Sequence, residues 1–251
     1  MYIVSFIFGL IFGSFLNMLI YRLPLGISLI NPKRSICPNC NNTIKWYENI
    51  PVISYIFLKG KCANCKENIS VVYPVVELIT ALVTTVLFYK FGFTISFIMN
   101  LILFYSLIVL SFIDLQYKAV PDYLLLFSLV FAMFIDEFSF YGCFIFAGGF
   151  VLLDFFITFY IQNIKARFTK NDILQTQKAL GEGDIPIVAI IGGILGIKLA
   201  LVAVFLSAIF AILPAIYYAI KKDEIQTPFI PFLTLGFFVV YILDIKLEKI
   251  F

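Results

Sequence analysis

Long apolar runs separated by short polar stretches organise this chain. Eight can be marked, at roughly residues 2–21, 73–89, 93–113, 121–135, 138–163, 185–197, 199–220 and 228–245. Such runs predict transmembrane helices, since crossing the hydrocarbon core takes about 20 apolar residues. The fourth and sixth are short, which predicts tilted or broken helices. The expected fold is an all-α polytopic membrane protein with about eight transmembrane helices. It divides into a first transmembrane helix at 1–23, a loop at 24–72 and a transmembrane core at 73–251.

Composition supports the pattern. Of 251 residues, 62% are hydrophobic and 13% charged, whereas soluble domains run at about 45–50% and 25%. The net charge of +3 is too small to indicate a nucleic-acid partner. The chain has no His, which excludes Ser-His-Asp and Cys-His catalysis and any His-ligated metal. Acid–base chemistry near neutral pH is left to carboxylates, Lys, Tyr or Cys. The first basic residue is Arg22, so no basic segment precedes the first run and no cleavable signal is expected.

Basic residues orient the spans. With eight crossings, 14 Lys and Arg fall on one side and 4 on the other. The positive-inside rule then makes the 24–72 loop cytoplasmic, together with positions 114 and 184, and puts both termini outside.

The loop carries Cys37-Pro38-Asn39-Cys40 and, after 21 residues, Cys62-Ala63-Asn64-Cys65. Paired CxxC knuckles at this separation predict one zinc ion held by Cys37, Cys40, Cys62 and Cys65. Four thiolates leave no open position for water, so the metal is structural. A cytoplasmic loop also argues against disulfides. Between the knuckles, Trp46-Tyr47-Glu48-Asn49-Ile50-Pro51 leads into an apolar stretch too short to span, which packs on the ribbon or on the membrane surface. Cys143, in an apolar run, is expected to stay free.

Several polar residues sit where a membrane span resists them. Gly13-Ser14-Phe15-Leu16-Asn17 in the first run suits close helix packing, or Asn17 lines a polar cavity. Glu77, one turn into the second run, either favours the positive end of its helix or is a site carboxylate. Asp114 ends the third run, where it opposes the helix dipole and propensity does not explain it. Asp122 beside Pro121 reads as a cap, and Asp136 and Glu137 read as solvated. Asp184 closes Gly181-Glu182-Gly183-Asp184 just before an apolar run. It is either a helix cap or a site carboxylate, and Gly181 and Gly183 permit a tight turn there. Asp154, mid-run, is the rival acid.

These blocks together resemble the prepilin peptidase family, the type IV leader peptidases among the GxGD membrane aspartic proteases. The resemblance rests on Gly13 to Asn17, Ile20-Tyr21-Arg22-Leu23-Pro24, the paired knuckles, Tyr73-Pro74 with Glu77, Asp114 with Pro121-Asp122, Gly181 to Asp184, and Pro228-Phe229-Ile230-Pro231-Phe232. The chain departs from the family at Pro186, where Lys is usual, and at Val72, where a basic residue is common. The resemblance implies a bacterial inner-membrane enzyme with its site at the cytoplasmic face. It implies an aspartic endopeptidase that uses Asp114 and Asp184 to cut the leader from type IV prepilin or pseudopilin precursors. It also implies N-methylation of the new terminus with S-adenosylmethionine, with Glu77 a candidate for that step or for holding the new amine. The alternative from the residues alone is a transporter or channel with intramembrane carboxylates and a zinc-braced loop.

Overall fold

The computed structural model describes residues 1–32, 34–169, 181–221 and 228–243. Lys33, Lys170, Lys178, Lys222, Lys246 and Lys249, all used in the charge count, lie outside them. The chain forms two compact units, Met1–Pro121 and Asp122–Phe251.

The first unit holds three long apolar helices, α1 (Tyr2–Arg22), α3 (Val72–Phe91) and α4 (Ile95–Tyr117), with a short helix α2 (Ile53–Phe57) in the loop. Small residues bring α1 onto α3. Ser5, Gly9, Gly13, Leu16, Asn17 and Ile20 form its buried stripe. A Cβ on Gly13 would sit 2.6 Å from the Cα of Glu77, so only glycine allows this approach. Polar groups among these helices are satisfied locally. Thr80 and Thr84 donate to the carbonyls of Val76 and Thr80, and Thr84 Oγ1 meets the Tyr105 hydroxyl at 2.7 Å. After α3 the chain reverses through Gly92, and Thr94 caps α4 by accepting the Phe97 N–H at 3.3 Å. This reversal brings the C-terminal end of α4 to the end of the unit where α1 finishes and α3 begins. The same end carries the 24–72 loop.

The second unit holds α5 (Asp122–Ala132), α6 (Phe140–Phe159), the short α7 (Ala166–Thr169), α8 (Asp184–Lys221) and α9 (Ile230–Leu243). A wide π-type turn over Tyr160–Lys165 continues α6. Ser139 caps α6 by accepting the Gly142 N–H at 3.1 Å, and its own N–H donates to Gly193 O at 2.7 Å. The start of α6 therefore lies beside Gly193, and Asp184 lies at the opposite end of that stretch of α8. Cys143 is a free, buried thiol.

Among the described residues, five helices are long and apolar enough to cross a membrane by length and composition, against the eight crossings expected. The runs at 121–135 and 228–245 yield shorter helices of 11 and 14 residues. The runs at 185–197 and 199–220 form α8, 38 residues in two helical segments. That stretch breaks at Gly196, where φ 68 and ψ 176 leave the helical region, and not at the polar Lys198. Glycine takes that φ at little cost, whereas Lys198 fits a helix. The protein is an all-α polytopic membrane protein carrying a four-Cys loop.

Candidate functional site

The loop between α1 and α3 folds around the cysteines as two matching knuckles. In the first, the Cys37 N–H donates to Asn42 O and the Asn41 N–H to Cys37 O, both at 2.9 Å. In the second, the Cys62 N–H donates to Glu67 O at 2.8 Å and the Lys66 N–H to Cys62 O at 3.1 Å. Single antiparallel bridges, Ile36 with Thr43 and Lys61 with Asn68, close both at the same register. Asn41 and Lys66, each just after the second Cys of its knuckle, take left-handed φ of 53 and 61. The pseudo-symmetry extends to the side chains: Asn64 Nδ2 donates to Cys40 Sγ at 3.6 Å, and Asn39 Nδ2 to Cys65 Sγ at 4.0 Å.

All four Sγ atoms lie within 4.8 Å of one another, and Cys37 and Cys65 approach to 3.9 Å. A tetrahedron of Zn–S bonds near 2.3 Å requires S···S of about 3.8 Å, so the donor set fits zinc. Its electrostatics agree. The Asn42 backbone and then the Asn64 amide draw the Cys40 thiol down to about 6. Backbone bonds from Cys65 and Asn64 lower Cys62 as well. At Cys65 the Glu67 backbone opposes the trend, but burial and the neighbouring thiols push it up to about 11. Four converging sulfurs do not all ionise unaided, and a cation at their centre removes the conflict.

A second set of contacts ties the loop to the helices. Arg22, at the end of α1, is buried, and its guanidinium donates to four backbone carbonyls: Ser28 at 2.9 Å, Leu29 at 3.3 Å, Pro32 at 3.0 Å and Arg34 at 3.4 Å. The planar fork can serve several acceptors at once, which an ammonium cannot match. Asn17 Nδ2 donates to Tyr73 O at 3.0 Å and pins the start of α3 to α1. Glu77 is buried, and its Oε2 accepts the Val52 N–H at 2.8 Å. The segment between the knuckles is thus held at the first turns of α3, while Trp46, Ile53, Ile56 and Phe57 stay exposed. Val52 takes φ 60, an outlier for a β-branched residue, at the point of attachment.

Between the ribbon and α1 and α3 lies a cavity of about 480 Å³, with Cys37 and Cys62 on one side and Ser14, Asn17, Tyr73 and Glu77 on the other. Asn17 therefore both packs and lines a polar space. Glu77 anchors the loop and also lines the cavity. Arg22 entered the sequence reading as a topological charge and as part of the Ile20 to Pro24 block, and nothing there signalled its carbonyl cradle or the Val52 contact.

Asp114 is buried in the last turn of α4, at the ribbon end of its unit. Its carbonyl accepts the Lys118 N–H at 2.9 Å, with Lys118 in the left-handed region to end the helix. Asp184 is buried at the first residue of α8. Its Oδ2 accepts the Gly181 N–H at 3.2 Å, and its own N–H donates to Gly181 O at 3.0 Å. The carboxylate thus reaches back across the turn, as the acidic half of a capping box does. A Cβ on Gly181 would stand 3.2 Å from Oδ2, and Gly183 is half-buried in the same turn. Asp154 sits mid-helix in α6, half-exposed, and accepts the Thr158 hydroxyl at 3.3 Å.

Fold and site together define a polytopic membrane protein with a four-Cys ribbon able to hold a metal at one end of its first helices and buried aspartates at helix ends. The chain belongs to the type IV leader peptidase family. The profile of that family matches residues 101–216, and the profile described as Bacterial Peptidase A24 N-terminal domain matches residues 7–91. Similar curated proteins carry the name Prepilin leader peptidase/N-methyltransferase. The Bacillus subtilis protein is 32% identical over 95% of this chain and 93% of its own. The Vibrio cholerae protein is 31% identical over 96% of each. The Myxococcus xanthus protein is 44% identical over 46% of this chain and 34% of its own length. No solved structure matches significantly.

Proposed function

We propose that this protein is a membrane aspartic endopeptidase that removes the leader of type IV prepilin-like precursors and N-methylates the exposed terminus. What carries the reading is family membership, with full-length relatives named for both activities. None of these relatives is named as a transporter or channel, and the transporter reading draws no support from them.

Asp114 and Asp184 are the proposed catalytic pair. Each is buried at a helix end, and each lies within residues 101–216 of the peptidase match. Two neighbouring carboxylates in a low dielectric share one proton. The ionised member takes a proton from water, which attacks the scissile carbonyl while the neutral member donates to its oxygen. Protons then pass to the leaving amine, and the pair titrates as a unit. For methylation, S-adenosylmethionine would supply an activated methyl group, and Glu77 would be the candidate to hold the new terminal amine.

The proposed topology has eight crossings, with the ribbon and both aspartates cytoplasmic. A straight helix of 38 residues would be about 57 Å long, against a hydrocarbon core of about 30 Å. In this proposal the break at Gly196 is the turn between a short sixth crossing and the seventh. Structural zinc in the ribbon, lipid around the helices and a prepilin substrate complete the assignment. The division into a first helix at 1–23, a ribbon loop at 24–72 and a catalytic core at 73–251 follows from it.

The test is to incubate the purified protein with a candidate prepilin and S-adenosylmethionine and to read product masses. Leader loss and a further methyl increment are both expected. An uncleaved precursor across several type IV prepilins would refute the reading.

A further inference from the structure

We propose that the segment between the knuckles, residues 46–57, is a membrane seat: its apolar face lies in the headgroup layer of the bilayer and prefers an anionic lipid surface. This is a contact beyond the crossings, because the segment lies outside every candidate span.

Trp46, Ile53, Ile56 and Phe57 are exposed, Trp46 at 79% and Phe57 at 82%. Exposed apolar residues on α1 and α3 need no further account, since lipid covers a spanning helix. A cluster of them on a connecting loop marks a surface that something covers. The polarity of α2 is also inverted. Ser54 and Tyr55 line the cavity against α1 and α3, whereas Ile53, Ile56 and Phe57 lie outside its lining and are exposed. A loop in water turns its apolar side chains inward, and a surface that meets lipid does the reverse.

Height identifies the cover as lipid. The 20 residues of α3 make a helix of about 30 Å, which matches a hydrocarbon core of about 30 Å. The first turn of α3 therefore sits at the boundary between acyl chains and headgroups. Glu77 lies about 7.5 Å along the axis from the first residue of α3, and its side chain leans back towards the helix start. The Val52 N–H, at 2.8 Å from Glu77 Oε2, is thus held level with that first turn. Interfacial segments bury their apolar faces about 5–10 Å into this same layer.

The polar groups agree. The Trp46 and Tyr47 rings meet edge to face at 5.7 Å, and Lys45 Nζ stands 5.7 Å from the Tyr47 ring centre. Amphipathic rings of this kind collect at headgroup level. Residues 45–67 hold four Lys and two Glu. Glu48 and Glu67 line the cavity, and the exposed Lys59, Lys61 and Lys66 do not. The positive charge is therefore left for an anionic surface, where each lysine favours contact about fivefold.

Trp46 is the chain's one tryptophan, so its fluorescence reads the seat directly. The full-length, zinc-loaded protein is placed in nanodiscs containing phosphatidylglycerol. A nanodisc offers the same lipid on both faces, so the outcome does not depend on the proposed orientation of the spans. Lipid brominated near the headgroup should quench Trp46 more than lipid brominated near the chain ends, and aqueous iodide should quench it weakly. Ile56→Ser with Phe57→Ser, at unchanged zinc content, should raise iodide quenching severalfold. Replacing phosphatidylglycerol with phosphatidylcholine, or Lys59→Gln with Lys61→Gln, should shift Trp46 the same way. Iodide quenching as strong as for a free tryptophan amide, with no effect of brominated lipid, would overturn the seat. Shielding of Trp46 that appears only on adding a prepilin would assign the face to substrate and also overturn it. Quenching by brominated lipid that ignores headgroup charge would overturn the anionic preference.

Discussion

Replacing Gly13 with Ala tests how α1 and α3 build the floor of the site. The new Cβ would lie 2.6 Å from Glu77 Cα, 3.3 Å from Glu77 O and 3.3 Å from Thr80 Cβ. Carbon atoms rest at about 3.5–4.0 Å, so α1 must retreat by roughly 1 Å. A gap of that size forfeits about a quarter to a half of the dispersion energy along the stripe. It also stretches the 3.0 Å bond from Asn17 to Tyr73 beyond hydrogen-bonding range. Overpacking of this kind costs about 1–3 kcal/mol, less up to about 1 kcal/mol regained from alanine's helix propensity. Gly148 is the internal control, since a Cβ there meets nothing within 4 Å. Thermal unfolding in detergent should show Gly13→Ala lowered by about 2–8 °C and Gly148→Ala unchanged or raised. If Gly13→Ala matches or exceeds wild type, the close approach of α1 to α3 is not what holds this floor.

Further outcomes follow from the ribbon, the loop and the Asp184 turn. Zinc binding to the metal-free ribbon at a pH of about 7.5 should release protons, because Cys65 stays protonated up to about 11, and calorimetry in buffers of different ionisation enthalpy reads this. Cys40 remains a thiolate down to about 6, so affinity should fall more steeply as pH drops through that value. Arg22→Lys should lose most of the four carbonyl bonds to the 28–34 loop and cost about 2–4 kcal/mol, visible as faster proteolysis of that loop. Gly181→Ala crowds Asp184 Oδ2 at 3.2 Å and should lower kcat for cleavage about ten- to hundredfold with zinc content unchanged.

Features set by local chemistry were legible in the sequence. The CxxC spacing alone pointed to the knuckles, and the small residues from Gly13 to Asn17 marked the face of α1 that meets α3. Contacts made across the fold were not legible. The Val52 N–H reaches Glu77 over 25 positions, so Glu77 looked equally like a dipole partner or a site acid. Arg22 looked like a topological charge because its acceptors are backbone carbonyls, which carry no sequence signal. The break in α8 was expected at Lys198 from polarity, but backbone freedom sets it at Gly196. Asp184 read as either a cap or a site acid, and its bond back to Gly181 fits the capping geometry without removing the carboxylate from chemistry.

The most direct measurement is cleavage of a prepilin by Asp114→Asn and Asp184→Asn, each checked for membrane insertion and one zinc per chain. Asparagine keeps the size of aspartate and removes the titrating proton carrier. Each single variant should leave the leader attached, and the double variant should be no worse than either, because members of one catalytic unit are not additive. Asp154→Asn should cleave normally. Cleavage by Asp184→Asn near the wild-type rate, or loss of cleavage in Asp154→Asn instead, would contradict the assignment.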